Sequence, residues 1–416
     1  MADAPRNPRA LPQELLVMIV EHLSDDLLSL SDCSLVCHGW VDMSSRILFR
    51  TVHVQAHTND ERFREFVSCL QTAPRISRSI RELYLEMGNV GQRRPSIDID
   101  TLGSIITQLS SLHSLYLRYT DVTIGQFTDN TLLMPGAGKF LHFLSLESIS
   151  IHEDDEPSKV LAGFFGLFSS LNYLECGRLF AKQTAAAYKL FDNYAALLSN
   201  LQIRSIKFVK MPHVYILELL QNTGIHASLE ILTVSYDSGI NMDSINSLIS
   251  YVRQTLLEFT FDYRGALNYD VVKTSPDLSG CLNLRSITFG TPYAGSVYAN
   301  EYQEIFTALL NTLDHAPNTL REISFLFGVN TTSTQDELLQ CLPSCDWTRL
   351  DMMLSESNRW PQLEEANFRF VQELEGEELQ NCLEIIRSGL PGAASRRVLR
   401  IAPLGFMKGR EQIIQY

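Results

Sequence analysis

Leu112-His113-Ser114-Leu115-Tyr116-Leu117 places an apolar residue, two others, an apolar residue, one other and a final apolar residue in a row, and the chain returns to this order nine more times. The returning pairs are Leu83/Leu85, Leu144/Leu146, Leu174/Cys176, Ile206/Phe208, Leu232/Val234, Phe259/Phe261, Ile287/Phe289, Ile323/Phe325 and Ala366/Phe368. Each is preceded three residues earlier by a further apolar residue, from Ile80 and Leu141 to Leu320 and Leu363. The alternation within each copy is a strand signature, because neighbouring side chains on a strand point to opposite faces and only one face here is apolar. Between copies the period becomes helical. Phe63, Phe66, Val67 and Leu70 share one helical face, as do Leu102, Ile105, Ile106 and Leu109, then Ile245, Leu248, Ile249 and Val252, then Leu379, Leu383 and Ile386.

Strand followed by helix, repeated, predicts an α/β fold in which each unit can bury its apolar faces only against its neighbours. From Leu83 to Ile287 the copies sit 26 to 32 residues apart, close to or just above the upper end of the leucine-rich-repeat range. The expected architecture is an irregular leucine-rich-repeat solenoid with a curved parallel sheet inside and helices outside. The copies lack the usual Asn at the turn after the strand, which predicts long, variable loops. After Leu320 the spacing widens, and Val398-Leu399-Arg400-Ile401 reads as a last, capping strand. A chain of 416 residues is long for one compact core, in keeping with an array.

The first fifty residues break this pattern. Pro12 suits the first turn of a helix, where its missing N–H is no loss, and Leu15, Leu16, Ile19 and Leu23 follow with helical spacing. Asp25 or Asp26 caps a second short helix through Leu27, Leu28 and Leu30, and Ser31 or Asp32 starts a third through Leu35, Val36 and Trp40. Three helices this short cannot hide all of these side chains among themselves. The surplus apolar surface implies a partner protein.

Leu11-Pro12, Glu14-Leu15, Ile19, Leu23, Asp26-Leu27, Leu30, Ser34, Val36-Cys37 and Trp40 resemble, in order and rough spacing, the F-box, the adaptor-binding module of eukaryotic ubiquitin ligases. Ile47-Leu48-Phe49-Arg50-Thr51-Val52 resembles the segment that joins an F-box to a substrate domain. The resemblance covers about the first tenth of the chain. It implies docking onto a Skp-type adaptor, and through it onto a cullin and a ubiquitin-conjugating enzyme. Leu11, Pro12, Leu15, Ile19, Leu23, Leu27, Leu30, Val36 and Trp40 would make the adaptor contact. The domain expectation is an F-box over 1–54, its first nine or so residues flexible, and about ten or eleven repeats over 55–416 with a C-terminal cap near 390–416. The implied function is substrate recognition within a Skp-cullin-F-box ligase, without catalysis by this chain. The alternative is a leucine-rich-repeat interaction scaffold unrelated to ubiquitin, its N-terminal helices only capping the array.

Residues between the apolar positions of each copy line the inner face. Down the first four copies that column gives Glu82, Tyr84 and Glu86, then Tyr116 and Arg118, then Phe143 and Glu147, then Tyr173 and Glu175. Tyr84, Tyr116, Phe143 and Tyr173 form a lateral aromatic track bordered by carboxylates, a candidate surface for an unknown protein target. The competing reading is that such rings pair across neighbouring strands and stabilise the sheet.

With 34 Lys+Arg against 48 Asp+Glu the net charge is −14, which argues against nucleic acid or an anionic membrane as a general partner. No run approaches the roughly 18 apolar residues of a membrane span. Eight scattered Cys and no leader-like N-terminus predict an intracellular setting, cytoplasmic or nuclear. No cofactor is expected. Cys33, Cys37 and His38 lack a second pair to complete a metal site, and Cys37 matches a buried F-box position. His152-Glu153-Asp154-Asp155-Glu156 reads as a solvated charge run before Pro157. Pro135-Gly136-Ala137-Gly138-Lys139 lacks the first Gly and the Ser or Thr of a phosphate loop and reads as a turn. Cys341 and Cys345 read as two small apolar side chains facing one another on a helix.

Overall fold

Alternating apolar residues make strands here because their neighbours bury them. The computed structural model describes residues 13–36, 38–56, 61–88, 96–124, 138–151, 156–180, 198–209, 214–221, 223–235, 242–263, 275–294, 299–329, 336–370 and 376–403. Every copy of the repeated pattern lies on a strand: β2 Glu82–Glu86, β4 Ser114–Arg118, β6 Lys139–Glu147, β8 Phe168–Cys176, β10 Gln202–Phe208, β11 Ile231–Ser235, β12 Glu258–Asp262, β13 Ser286–Ala294, β14 Glu322–Val329 and β15 Glu365–Phe370. β1 Thr51–Gln55 precedes them and β16 Leu399–Pro403 follows. These strands form one twelve-stranded parallel sheet in chain order. Register is kept from copy to copy, with Leu83 opposite Leu115, Leu115 opposite Leu144 and Leu232 opposite Phe259. The apolar columns are thereby stacked and fully buried.

Helices return the chain between strands. α4 Glu61–Thr72 and α5 Pro74–Ser79 lie between β1 and β2, α6 Ile99–Gln108 between β2 and β4, α7 Pro157–Phe165 between β6 and β8, α8 Val214–Gln221 between β10 and β11, α9 Met242–Val252 between β11 and β12, and α10 Ala299–Asp314 between β13 and β14. The helical faces read from the sequence at Leu102, Ile105 and Ile106, and at Ile245, Leu248, Ile249 and Val252, are the ones packed inward. After β14 the wider spacing is occupied by two helices, α11 Asp336–Cys341 and α12 Trp347–Ser355. α13 Gly376–Gly389 and α14 Pro391–Ser395 lead to β16. The Asp351 carboxylate accepts from the Gly392 and Ala393 amides and pins α14 to α12. The part of the expected C-terminal cap beyond residue 403 lies outside the described residues.

Four short strands make a second parallel sheet that the sequence pattern did not predict: β3 Ser96–Asp98, β5 Asp121–Thr123, β7 Ile149–Ile151 and β9 Leu179–Phe180. The chain enters two of these through left-handed residues, Tyr119 at φ 51° and Ser148 at φ 56°. Segments of two or three residues are too short to show a period.

At the N-terminus stand α1 Gln13–His22, α2 Leu27–Ser34 and α3 His38–Leu48. Asp26 caps α2, accepting from the Ser29 amide at 3.1 Å. The third helix begins later than expected. Ser31 and Asp32 lie inside α2, and the Leu35 and Val36 amides close onto the Asp32 and Cys33 carbonyls, so Leu35 and Val36 form the connection. α3 then runs on to Leu48, and the expected boundary after residue 54 falls inside β1, which pairs with β2 from Thr51 to Gln55.

Phe325 is fully buried between Phe289 and Phe368 on the flanking strands, at ring distances of 5.6 and 5.1 Å. Phe325→Ala leaves a ring-sized cavity at a site that neighbouring strands cannot collapse into, and is expected to cost about 3–5 kcal/mol in urea unfolding. A loss under 1 kcal/mol would contradict this packing.

Candidate functional site

Two surfaces stand out, and the first is apolar. Seven large hydrophobic side chains within residues 15–36 face outward: Leu15, Met18, Ile19, Leu27, Leu28, Leu35 and Val36. Leu28 and Leu35 are each 82% exposed, whereas only four such residues are exposed in the rest of the described chain. α2 explains the concentration. It spans two turns, and Leu30 is the residue it turns inward, so Leu27 and Leu28 are left outside. Val20, Leu30 and Ser44 make the small interior of the trio.

Of the residues expected at the adaptor contact, Leu15, Ile19, Leu27 and Val36 are exposed and Leu23 and Trp40 are half-buried. Leu30 departs from expectation: with no exposed surface it packs the trio and presents nothing to a partner. Leu11 and Pro12 lie outside the described residues. The sequence reading missed Met18, Leu28 and Leu35 as members of this face. Leu28 and Leu35 belong to it because α2 is short and ends in a tight turn.

The second surface is a ladder of rings across the first strands. Tyr84 stacks on Tyr116 at 4.0 Å with planes 4° apart, and Phe143 stacks on Tyr173 at 5.1 Å and 8°. Tyr116 and Phe143 meet at 5.0 Å and 34°. The ladder reaches one strand further than the column read from the sequence, since His53 on β1 stacks on Tyr84 at 4.2 Å and 9°. Parallel register produces this contact, with His53 opposite Tyr84 and Tyr84 opposite Tyr116. Partial burial, then a hydrogen bond with Tyr84, raises the Tyr116 hydroxyl well above its ordinary value, and burial followed by Glu175 does the same to Tyr173. Both stay protonated and neutral at physiological pH.

The carboxylate border is more occupied than the sequence suggested. Glu147 pairs with Arg118 at 3.2 Å and Glu175 with Lys207 at 3.2 Å. Glu82 accepts from Thr51 and Glu86 from Gln55. The border therefore offers little acidic attraction to a basic segment, because two of the four carboxylates already face cations.

Where they are described, the remaining clusters have structural uses. Lys139 donates to the Leu109 and Ser110 carbonyls at 2.7 and 2.8 Å, which is a structural use of the ammonium at the start of β6. Gly138 is required there, since a Cβ would come within 2.5 Å of the Ser169 nitrogen. Residues 135–137 and 152–155, together with Cys37, lie outside the described residues. Among the described residues no group of three His, Cys, Asp or Glu is placed to hold a metal ion, and no helix is long and apolar enough to cross a membrane. Cys341 and Cys345 are both buried and outside any disulfide, but they do not share a helix: α11 ends at Cys341 and a short 3-10 turn intervenes. Burial, then Cys341, pushes the Cys345 thiol far up, which keeps it inert.

Residues 9–55 match the family model described as F-box-like, so the apolar face sits on an F-box-like domain. No curated protein matches the chain. Among solved structures, the crystal structure of the Rad7 and Elc1 complex in yeast aligns over 88% of this chain and 91% of that chain, at 16% identity and a TM-score of 0.33. Likeness at that level carries no inference.

Stacking between half-buried rings is worth about 0.5–1.5 kcal/mol beyond area burial. A double-mutant cycle of Tyr84→Ala and Tyr116→Ala, read by chemical denaturation, is expected to return a coupling in that range. Zero coupling would remove the stabilising role and leave recognition alone to explain the ladder.

Proposed function

We propose that the protein is the substrate-recognition subunit of a Skp-cullin-F-box ubiquitin ligase. Its F-box-like domain binds a Skp-type adaptor, which links it to a cullin, and its repeat region, an irregular leucine-rich-repeat solenoid, holds the target. The chain itself performs no catalysis. The observation that carries this reading is the outward face of α1, α2 and the turn after α2, which coincides with the F-box-like match. Helices that merely capped a scaffold would turn these side chains against the sheet. Burying such side chains in a partner contributes roughly 1.5–3 kcal/mol each when burial is complete. Several of them give ample gross affinity even after the cost of association.

The mechanism is proximity. A body that grips the adaptor at its helical end and a target on its sheet raises the effective concentration of target lysines near the conjugating enzyme. The parallel sheet suits this because its strands are hydrogen-bonded in one unbroken series from β1 to β16. The ring ladder starts at β1, directly after the F-box-like helices, and is the proposed target surface. Neutral rings in a row offer large, rigid contact area at low entropic cost. In this reading the protein works inside the cell, where the ligase components are.

Leu28→Asp with Val36→Asp changes only exposed side chains, and it is expected to lower co-purification with a recombinant Skp-type adaptor at least tenfold while the thermal melt is unchanged. Leu11→Ala with Pro12→Ala should act in the same direction. Adaptor capture that is indifferent to all four substitutions would overturn the ligase assignment. Tyr84→Ala, Tyr116→Ala and Tyr173→Ala together are expected to abolish capture of proteins that accumulate when the gene is deleted, with adaptor capture retained. Unchanged capture would exclude the ladder as the target surface.

A further inference from the structure

On the side of the F-box-like helices the large sheet ends at β1. Among the described residues β1 pairs on one side only, with β2. The Arg50 carbonyl accepts from the Arg81 and Glu82 amides at 2.8 and 3.0 Å, and the Ala56 amide donates to the Glu86 carbonyl at 2.9 Å. Backbone groups alternate in direction along a strand, so Val52 and Val54, in step with Arg50 and Ala56, address β2, while the amides and carbonyls of Thr51, His53 and Gln55 point to the outer edge. His53 and Gln55 are exposed and Thr51 is half-buried, so this edge is open to an incoming chain.

The ring ladder ends at the same edge. His53 stacks on Tyr84 at 4.2 Å and Tyr84 on Tyr116 at 4.0 Å, and among the described residues His53 meets a ring on that side only. Rings follow one another at close to the spacing of paired strands, about 4.8 Å, because parallel register sets them directly opposite one another. A strand added to β1 brings the side chain opposite His53 to the same separation. An aromatic residue there extends the stack by one rung.

We propose that the outer edge of β1 takes up an extended target segment as a further strand of the sheet, with an aromatic residue of that segment seated against the open face of His53. The inference rests on the target-recognition reading for the kind of partner. Main-chain hydrogen bonds to Thr51, His53 and Gln55 supply the grip, and the ring contact supplies the selectivity. Residues two before and two after the aromatic one share its face and lie beside Thr51 and Gln55, whose side chains already donate to Glu82 and Glu86, so small or β-branched residues fit there. The edge begins beside a cleft lined by Arg46, Arg75, Arg78 and Arg81, where Arg75 pairs with Asp42 at 3.7 Å, which disfavours a basic flank at that end. A second copy is a poorer occupant, because it would set two chains of net charge −14 edge to edge, each with its helical trio directly before β1.

The test uses the full chain and three labelled peptide pools whose flanks are degenerate in Thr, Val, Ser and Asn. One pool has a fixed central tyrosine, one a central alanine, and one a central tyrosine with N-methyl groups on it and its two neighbours, which block strand pairing and leave the side chains alone. Fluorescence anisotropy is expected to show the tyrosine pool bound at least tenfold more tightly than either of the others. Gln55→Pro removes an outward amide and none of the bonds to β2, and is expected to weaken the tyrosine pool at least tenfold at an unchanged melting temperature. His53→Ala is expected to erase the preference for tyrosine over alanine. A tyrosine pool that fails to bind, or binds no better than its N-methylated form, would overturn the strand addition, and equal binding of the tyrosine and alanine pools would overturn the aromatic seat. A dimer in sedimentation velocity that is lost in Gln55→Pro would give the edge to a second copy and overturn the assignment to a target. Adaptor capture is measured on the same samples: adaptor retained without peptide binding sinks this inference alone, whereas adaptor lost in the unmodified chain sinks the receptor reading.

Discussion

The structure depends on parallel strands paired in one register, with their apolar columns turned to the same side. Leu83, Leu115 and Leu144 lie opposite one another because each strand's backbone groups and side chains are satisfied only by the strand before and after it. A slip of one residue in any strand would send its apolar column to the other face and expose it. The same register brings His53, Tyr84 and Tyr116 into line on the outward-facing side of the ladder. The ring ladder is thus a by-product of core packing before it is anything else. Its geometry comes without any interaction specific to a partner.

This order of causes bears on how the two ends of the molecule differ. The sheet can bury what its own units supply, since each strand finds a neighbour. The N-terminal trio does so only in part, because α2 offers a single buried residue, Leu30, and seven large apolar side chains within residues 15–36 stay exposed among the described residues. β1 ties the two regions together: it follows α3 at once and pairs with β2. Whatever the helices grip is therefore held at a fixed place relative to the first strands.

Much of this was legible in the sequence, and what was not has physical reasons. The strands were readable because period-two alternation recurs ten times, and the helical faces around Ile105 and Ile249 because period 3.6 holds over about two turns. The outward face of the trio was foreseeable from the mismatch between apolar residues and available interior. The start of the third helix was misread because Asp32 carries the chemistry of a cap, yet its backbone was already committed to α2. The second sheet was invisible because its strands are two or three residues long. The partners of the acidic border escaped notice because Arg118–Glu147 and Glu175–Lys207 bridge residues about thirty apart that only the register brings together. The gathering of Arg46 with Arg75, Arg78 and Arg81 was only partly legible: the last three recur every third residue in one stretch, and Arg46 joins them only through the fold.

The distribution of charge over the ladder decides what it can discriminate. Tyr116 and Tyr173 are neutral, the rings already bury one another's faces, and two of the carboxylates are matched to cations on adjacent strands. Arg118 and Glu147 remain around two-fifths exposed, so their pair contributes little to stability and mainly cancels field. If the ladder is the target surface proposed above, it would take apolar and planar groups without a strong preference in sign. Beside β1 and β2, by contrast, Arg46, Arg78 and Arg81 have no acid partner among the described residues, where α3 and α5 meet the first strands. The ring ladder and this charge are separable features, because one arises from sheet register and the other from where helices meet the sheet.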